Sequence, residues 1–170
     1  MKLNTSKSLL TTALLLASCT VYASHTPFQM VIIAEDPLAT LIEQPDLATT
    51  MQRYTQTDKA DRFARTMNLC VAFSKQQSWS QAMVACDQAV SATRHAKQAS
   101  AEAQRQLRAY AYSNRGVAKS LSGDLDGALA DFQRAEMLSD NQIARHNLTI
   151  LSLRQQAPMA RVLTTDLTTE

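Results

Sequence analysis

Apolar residues in the second half of the chain recur at three- and four-residue spacing, and polar clusters interrupt them at intervals. That period puts the apolar side chains on one face of a helix. The pattern predicts a first helix capped by Thr57 or Asp58, with Phe63, Met67, Leu69, Cys70 and Phe73 along one side. Gln76-Gln77-Ser78 ends it, and Ser78 can cap a second helix that presents Trp79, Ala82, Met83, Cys86, Ala89 and Val90. Trp79 has no aromatic neighbours in sequence and reads as a core anchor at the turn. A third helix, capped by Ser100, runs to about Leu121. Ser122-Gly123-Asp124 then makes a tight turn, with Gly123 suited to a left-handed helix end and Asp124 to the next cap. The fourth helix buries Leu125, Ala128, Leu129, Phe132, Ala135 and Leu138. After Ser139-Asp140-Asn141 a fifth helix carries Ile143, Leu148, Leu151 and Leu153 as a cover for the end of the bundle, and Pro158 stops it.

The residues before Thr57 follow a different pattern. Three of the four prolines (Pro27, Pro37 and Pro45) fall within residues 24–57. The apolar run Phe28 to Ile33 is too short to assign to strand or helix by periodicity. Residues 24–57 read as an irregular arm packed on the first helix pair, and residues 157–170, rich in Thr, as a mobile tail.

Composition supports helices packed through small residues. Apolar residues make up 45% and aromatics 5%, with three glycines and four prolines. Residues 1–23 read as a leader: Lys2 and Lys7 precede an apolar stretch, Ser8 to Ala17, too short to span a bilayer. Two processing sites compete. Val21-Tyr22-Ala23 suits simple cleavage before Ser24, and Leu16-Ala17-Ser18-Cys19 resembles the bacterial lipobox, in which Cys19 would be lipidated. Both routes export the chain, as a periplasmic protein or as a lipoprotein held at the membrane through Cys19. Losing the leader removes Lys2 and Lys7 from 17 basic residues and none of the 15 acidic ones, which leaves 15 of each. No basic patch of nucleic-acid type remains.

Two segments share a longer pattern. Tyr112-x2-Arg115-Gly116-x2-Lys119 is followed by Ala128-x3-Phe132, Ala135 and Asp140. Thr66-x2-Leu69-Cys70-x2-Phe73 is followed by Ala82-x3-Cys86 and Ala89. This resembles the tetratricopeptide repeat. The resemblance covers residues 58–156 and departs from the 34-residue repeat between the two units, where Cys70 and Gly116 lie 46 residues apart. It implies an all-α fold: a short right-handed superhelical stack of antiparallel helix pairs, an α-solenoid. Gly116 would let the fourth helix lie close beside Ala128. Cys70 and Cys86 occupy slots that face one another across a helix pair, as a structural disulfide or as two buried thiols.

The resemblance also implies a function class, the holding of a protein or peptide client in a concave groove. Asn68, Asn114 and Asn147 occupy one slot in three successive first-of-pair helices. An amide there can both donate to and accept from a peptide backbone, or it can tie neighbouring helices together. Ser113 and Val117 flank the middle position and are not basic, which argues against capture of a C-terminal carboxylate. A structural subunit of an envelope assembly is the competing expectation. Nothing in the pattern points to catalysis, a cofactor or a metal: His25, His95 and His146 are scattered, and no nucleophile motif or phosphate-cradling loop is present.

Overall fold

In the computed structural model the described residues are 27–42, 61–94 and 100–165, with side chains through residue 156. Among them the chain is all-helical. The helices are α1 (Arg62–Lys75), α2 (Trp79–Ala92), α3 (Ala101–Ser122), α4 (Leu125–Leu138) and α5 (Gln142–Thr165). A single 3-10 turn, Pro37–Thr40, precedes them. The helix α1 packs along α2, and α3 along α4. Three-residue or shorter turns join the members of each pair, so they run antiparallel. The helix α3 also contacts α1 and α2, and α5 lies against both α3 and α4. Among the described residues no helix is long and apolar enough to cross a membrane.

The two hairpin turns close by the same device. Asp124 N–H bonds the Lys119 carbonyl at 2.9 Å, and Ser78 N–H bonds the Phe73 carbonyl at 3.0 Å. Each bond requires one left-handed residue at the helix end. Gly123 fills that place in the second turn with φ 99°, and Gln77 fills it in the first with φ 57°. Caps fix the helix starts. Asp61 accepts from Phe63 N–H at 2.8 Å, so α1 starts at Arg62, later than a cap at Thr57 or Asp58 would have it. Ser100 and Asp124 cap α3 and α4 as their positions suggest, whereas the Ser78 side chain makes no capping bond.

Cys70 and Cys86 are joined by a disulfide, and both are fully buried among Ala82, Ala85 and Ala118. Gly116 faces the ring of Phe132: an added Cβ would stand 2.6 Å from Cε1. The nearest neighbour of that added Cβ is therefore the aromatic ring, in a cluster that also holds Ala128. Trp79 is only half-buried and Leu153 is 56% exposed, so neither serves the core role its apolar character suggests. The helix α5 continues through Pro158 to Thr165, into the stretch that the sequence reads as tail. Proline there cannot donate to the carbonyl of Arg154. Arg154 is exposed, so water can satisfy that carbonyl without ending the helix.

The arm departs most from its sequence reading. Residues 27–42 cross every first-of-pair helix instead of packing on the first pair alone. Leu38 and Ile42 sit on Val71 and Ala72 of α1, and Phe28 reaches Val117, Phe132 and Leu151 at the far side. Residues 1–26 with Cys19 and His25, residues 43–60 and His95 lie outside the described residues.

Candidate functional site: an asparagine ladder

Asn68, Asn114 and Asn147 project from α1, α3 and α5, and each is fully buried. A buried amide needs partners for its oxygen and for its NH2 group. All three find them on the backbone of the arm, one rung per helix. Asn147 Oδ1 accepts from Gln29 N–H at 2.8 Å, and its Nδ2 donates to the Gln29 carbonyl at 2.8 Å. Asn114 does the same for Val31, at 2.8 Å both ways. Asn68 accepts from Ile33 N–H at 2.8 Å and donates to the Ile33 carbonyl at 2.9 Å.

The rungs fall on alternate residues of the arm because an extended chain turns alternate N–H and C=O groups to the same side. The arm runs with its N-terminal end at α5 and its C-terminal end at α1, against the order of the helices. Its side chains divide between two walls. Val31 and Ile33 join a cluster with Phe63, Met67, Ala92 and Ala111. Phe28 and Ile32 point into different clusters, with Phe132 and Leu151 in one and Val71 and Ala72 in the other. Met30 touches both of these and the disulfide cluster as well, a gap-filling use that suits its flexible side chain.

Each end of the ladder is finished by groups that the spacing of the asparagines does not announce. At the α5 end, His146 Nε2 stands 2.8 Å from the Pro27 carbonyl, an acceptor that requires the proton on Nε2. Phe28 stacks on Phe132 with ring centroids 6.1 Å apart, and the Arg154 guanidinium lies 5.1 Å over the Phe28 ring. At the α1 end, Asn68 Nδ2 also donates to Asp36 Oδ1 at 3.2 Å. The same oxygen accepts from Leu38 N–H at 3.0 Å and caps the 3-10 turn. Asp36 is 2% exposed, and its place directly before Pro37 was the available signal for a cap.

Ser113 and Val117 are both fully buried on α3. Ser113 Oγ accepts from Asn147 Nδ2 at 3.2 Å, tying α5 to α3, and Val117 forms part of the wall under Phe28. The asparagines therefore do two things together: they grip an extended backbone, and one of them braces a neighbouring helix.

A second polar group lies between the helix pairs. Arg115 makes a two-pronged bond to Asp131, Nε to Oδ2 at 2.8 Å and Nη2 to Oδ1 at 2.7 Å. Its Nη1 reaches Asp87 Oδ1 at 2.8 Å. Lys119 Nζ stands 2.9 Å from Asp131 Oδ2. Hydrogen bonding to Asp131 is the main reason that the Arg115 guanidinium holds its proton even more tightly than usual. The guanidinium also lies 5.2 Å over the Tyr112 ring. This group links α3 to α4 and α2. Among the described residues no three of His, Cys, Asp and Glu gather closely enough to hold a metal ion.

Compared with family models, with curated proteins and with solved structures, the chain matches none.

Proposed function

We propose that this chain is a non-catalytic, exported adaptor that holds an extended stretch of protein against a face built from tetratricopeptide-like helix pairs. One observation carries the reading: three buried asparagines on three helices each bond both the N–H and the C=O of alternate residues in one extended segment. Such a grip reads backbone and not side chains, which suits a module that binds polypeptide.

The spacing of the rungs supports a concave face. Alternate residues of an extended chain lie about 6.6–6.8 Å apart. Packed helices sit about 8–10 Å apart. One rung per helix then needs the three asparagine tips to converge, as they do on the inner side of a curved stack. Export is favoured by the leader-like residues 1–23 and by the buried Cys70–Cys86 disulfide, a bond at home in an oxidising compartment.

The competing reading is a fixed subunit of an envelope assembly. It is favoured by a shallow hollow on the α1–α2 pair, lined by Leu69, Phe73, Ala85 and the 57%-exposed Val84. A pull-down from envelope extract with wild type and with Asn68→Ala/Asn114→Ala separates the two. The adaptor reading expects an exchangeable client that the double variant loses. A stoichiometric complex indifferent to both substitutions overturns it in favour of the subunit.

A further inference from the structure

We propose that residues 27–36 are a displaceable internal ligand, and that their seat accepts in their place an extended segment of a different protein with the same chemistry. That segment has an aromatic side chain, apolar residues from the second to the fifth position after it, and a carboxylate eight residues after the aromatic. This rests on the adaptor reading above and names the client class that it leaves open.

The grip itself is indifferent to sequence. The six ladder bonds engage only main-chain groups of Gln29, Val31 and Ile33. Selectivity comes from the walls. The pocket of Val117, Phe132 and Leu151, with Arg154 over it, takes an aromatic ring. Beyond it lie aliphatic surfaces, and Asn68 presents its second N–H to the Asp36 carboxylate.

The hold on the arm is also incomplete. Met30, Val31, Ile32 and Ile33 remain half-buried, whereas Met67, Val117 and Phe132 around them are fully buried. Every ladder bond runs from the arm to a side chain, so lifting the arm breaks no helical backbone bond. Ala34 and Glu35 are exposed, while Leu38 and Ile42 are anchored separately on α1. The arm can therefore lift off through Asp36, giving up that residue's bonds to Asn68 and Leu38 N–H, with Leu38 and Ile42 left in place on α1. A tethered segment competes at an effective concentration on the order of millimolar. A client of equal fit consequently binds weakly until the arm is loosened.

The test uses the full chain and a fluorescein-labelled peptide with the sequence of residues 27–36. Val31→Pro in the protein removes the N–H that bonds Asn114 and leaves the helices untouched. The peptide should bind this variant roughly 5- to 10-fold more tightly than wild type, the equivalent of about one amide bond. Adding Asn114→Ala should reverse that gain. Hydrogen exchange on the wild-type chain provides a second measurement that no variant's folding can compromise. The Gln29, Val31 and Ile33 amides should exchange well before those buried in α1 to α4. Exchange of the arm amides only with the slowest class makes the arm a fixed part of the fold and overturns the proposal. If Val31→Pro then still binds the peptide, the adaptor reading survives that loss. If the arm opens early and the folded variant ignores the peptide, the face does not take peptides and the adaptor reading falls. A dimer that Val31→Pro dissolves would put a second copy's arm in the seat and overturn assignment to a different protein.

Discussion

Asn114 holds both main-chain polar groups of Val31, accepting from its N–H at 2.8 Å and donating to its carbonyl at 2.8 Å. Replacing it with Ala deletes both bonds and strands the backbone groups of Val31. At about 0.5–1.5 kcal/mol per bond, Asn114→Ala should lower unfolding stability by about 1–3 kcal/mol. The ladder makes a sharper statement about pairs of substitutions. Once one rung is lost and the arm is loosened, a second rung has less to hold. Asn68→Ala and Asn114→Ala together should cost at least about 0.5 kcal/mol less than the sum of the single effects. Denaturant titration of the four proteins measures this, and strict additivity would mean that the rungs act independently.

Gly116 and Gly123 should both resist alanine, for different reasons. A Cβ on Gly116 would meet the Phe132 ring at 2.6 Å, while one on Gly123 meets nothing within 4 Å but sits at φ 99°. Gly116→Ala gains about 1 kcal/mol in helix propensity. It should still be destabilising on balance, because overpacking costs about 1–3 kcal/mol and Phe132 is fully buried. Adding Phe132→Leu should relieve the Gly116→Ala clash and do nothing for Gly123→Ala. Thermal unfolding of the two double variants distinguishes crowding from backbone strain.

Gln77 offers the reverse case. It holds φ 57° in the turn where the second hairpin uses glycine. Relief of left-handed strain, about 1–2 kcal/mol, exceeds the entropic cost of glycine, about 0.5–1 kcal/mol. Gln77→Gly should raise stability by about 0.5–1 kcal/mol, visible as a shift of the denaturant midpoint with unchanged slope.

Removing one partner of a buried ion pair costs about 3–5 kcal/mol. Arg115→Ala should cost less, about 2–3 kcal/mol, because Lys119 Nζ remains 2.9 Å from Asp131. Arg115→Ala/Lys119→Ala should restore the full penalty by leaving the Asp131 carboxylate uncompensated. Chemical denaturation of the single and double variants checks the order.

The Cys70–Cys86 bond closes a loop with a sequence separation of 16. The chain-entropy estimate for a loop of that size is about 3 kcal/mol, so Cys70→Ala/Cys86→Ala should lose up to that amount. Both cysteines are fully buried. Reductant alone should therefore leave the bond intact under native conditions, and reductant with denaturant should open it. Intact mass after alkylation reports both.

Much of the helical body was legible from periodicity and turn chemistry. Gly123 and the caps Ser100 and Asp124 announce themselves because their signals are local. The place of the asparagines on alternate helices could also be read, since the slot recurs in sequence. What could not be read was their occupant. Gln29 and Asn147 are 118 positions apart, and no local rule links them. The apolar run Phe28 to Ile33 gave no periodicity that distinguishes an extended segment from a helical turn. Trp79 and Leu153 misled for the opposite reason: an apolar side chain is often left at the surface. Pro158 misled because a helix break depends on whether solvent can reach the orphaned carbonyl, which no sequence pattern records.

The direction of the arm sets an order of events for a newly made chain. Its first rung, Gln29, is held by Asn147 on α5, made 118 positions later. Until Asn147 has emerged, the greasy Phe28–Ile33 stretch, made well before it, has no complete berth. The hairpins α1–α2 and α3–α4 depend on near neighbours and can close early, whereas the arm must wait for contacts of long sequence separation. Such a waiting strand is the part of a folding chain most open to capture by another molecule, whether chaperone or aggregate. Seating of the arm therefore waits on α5.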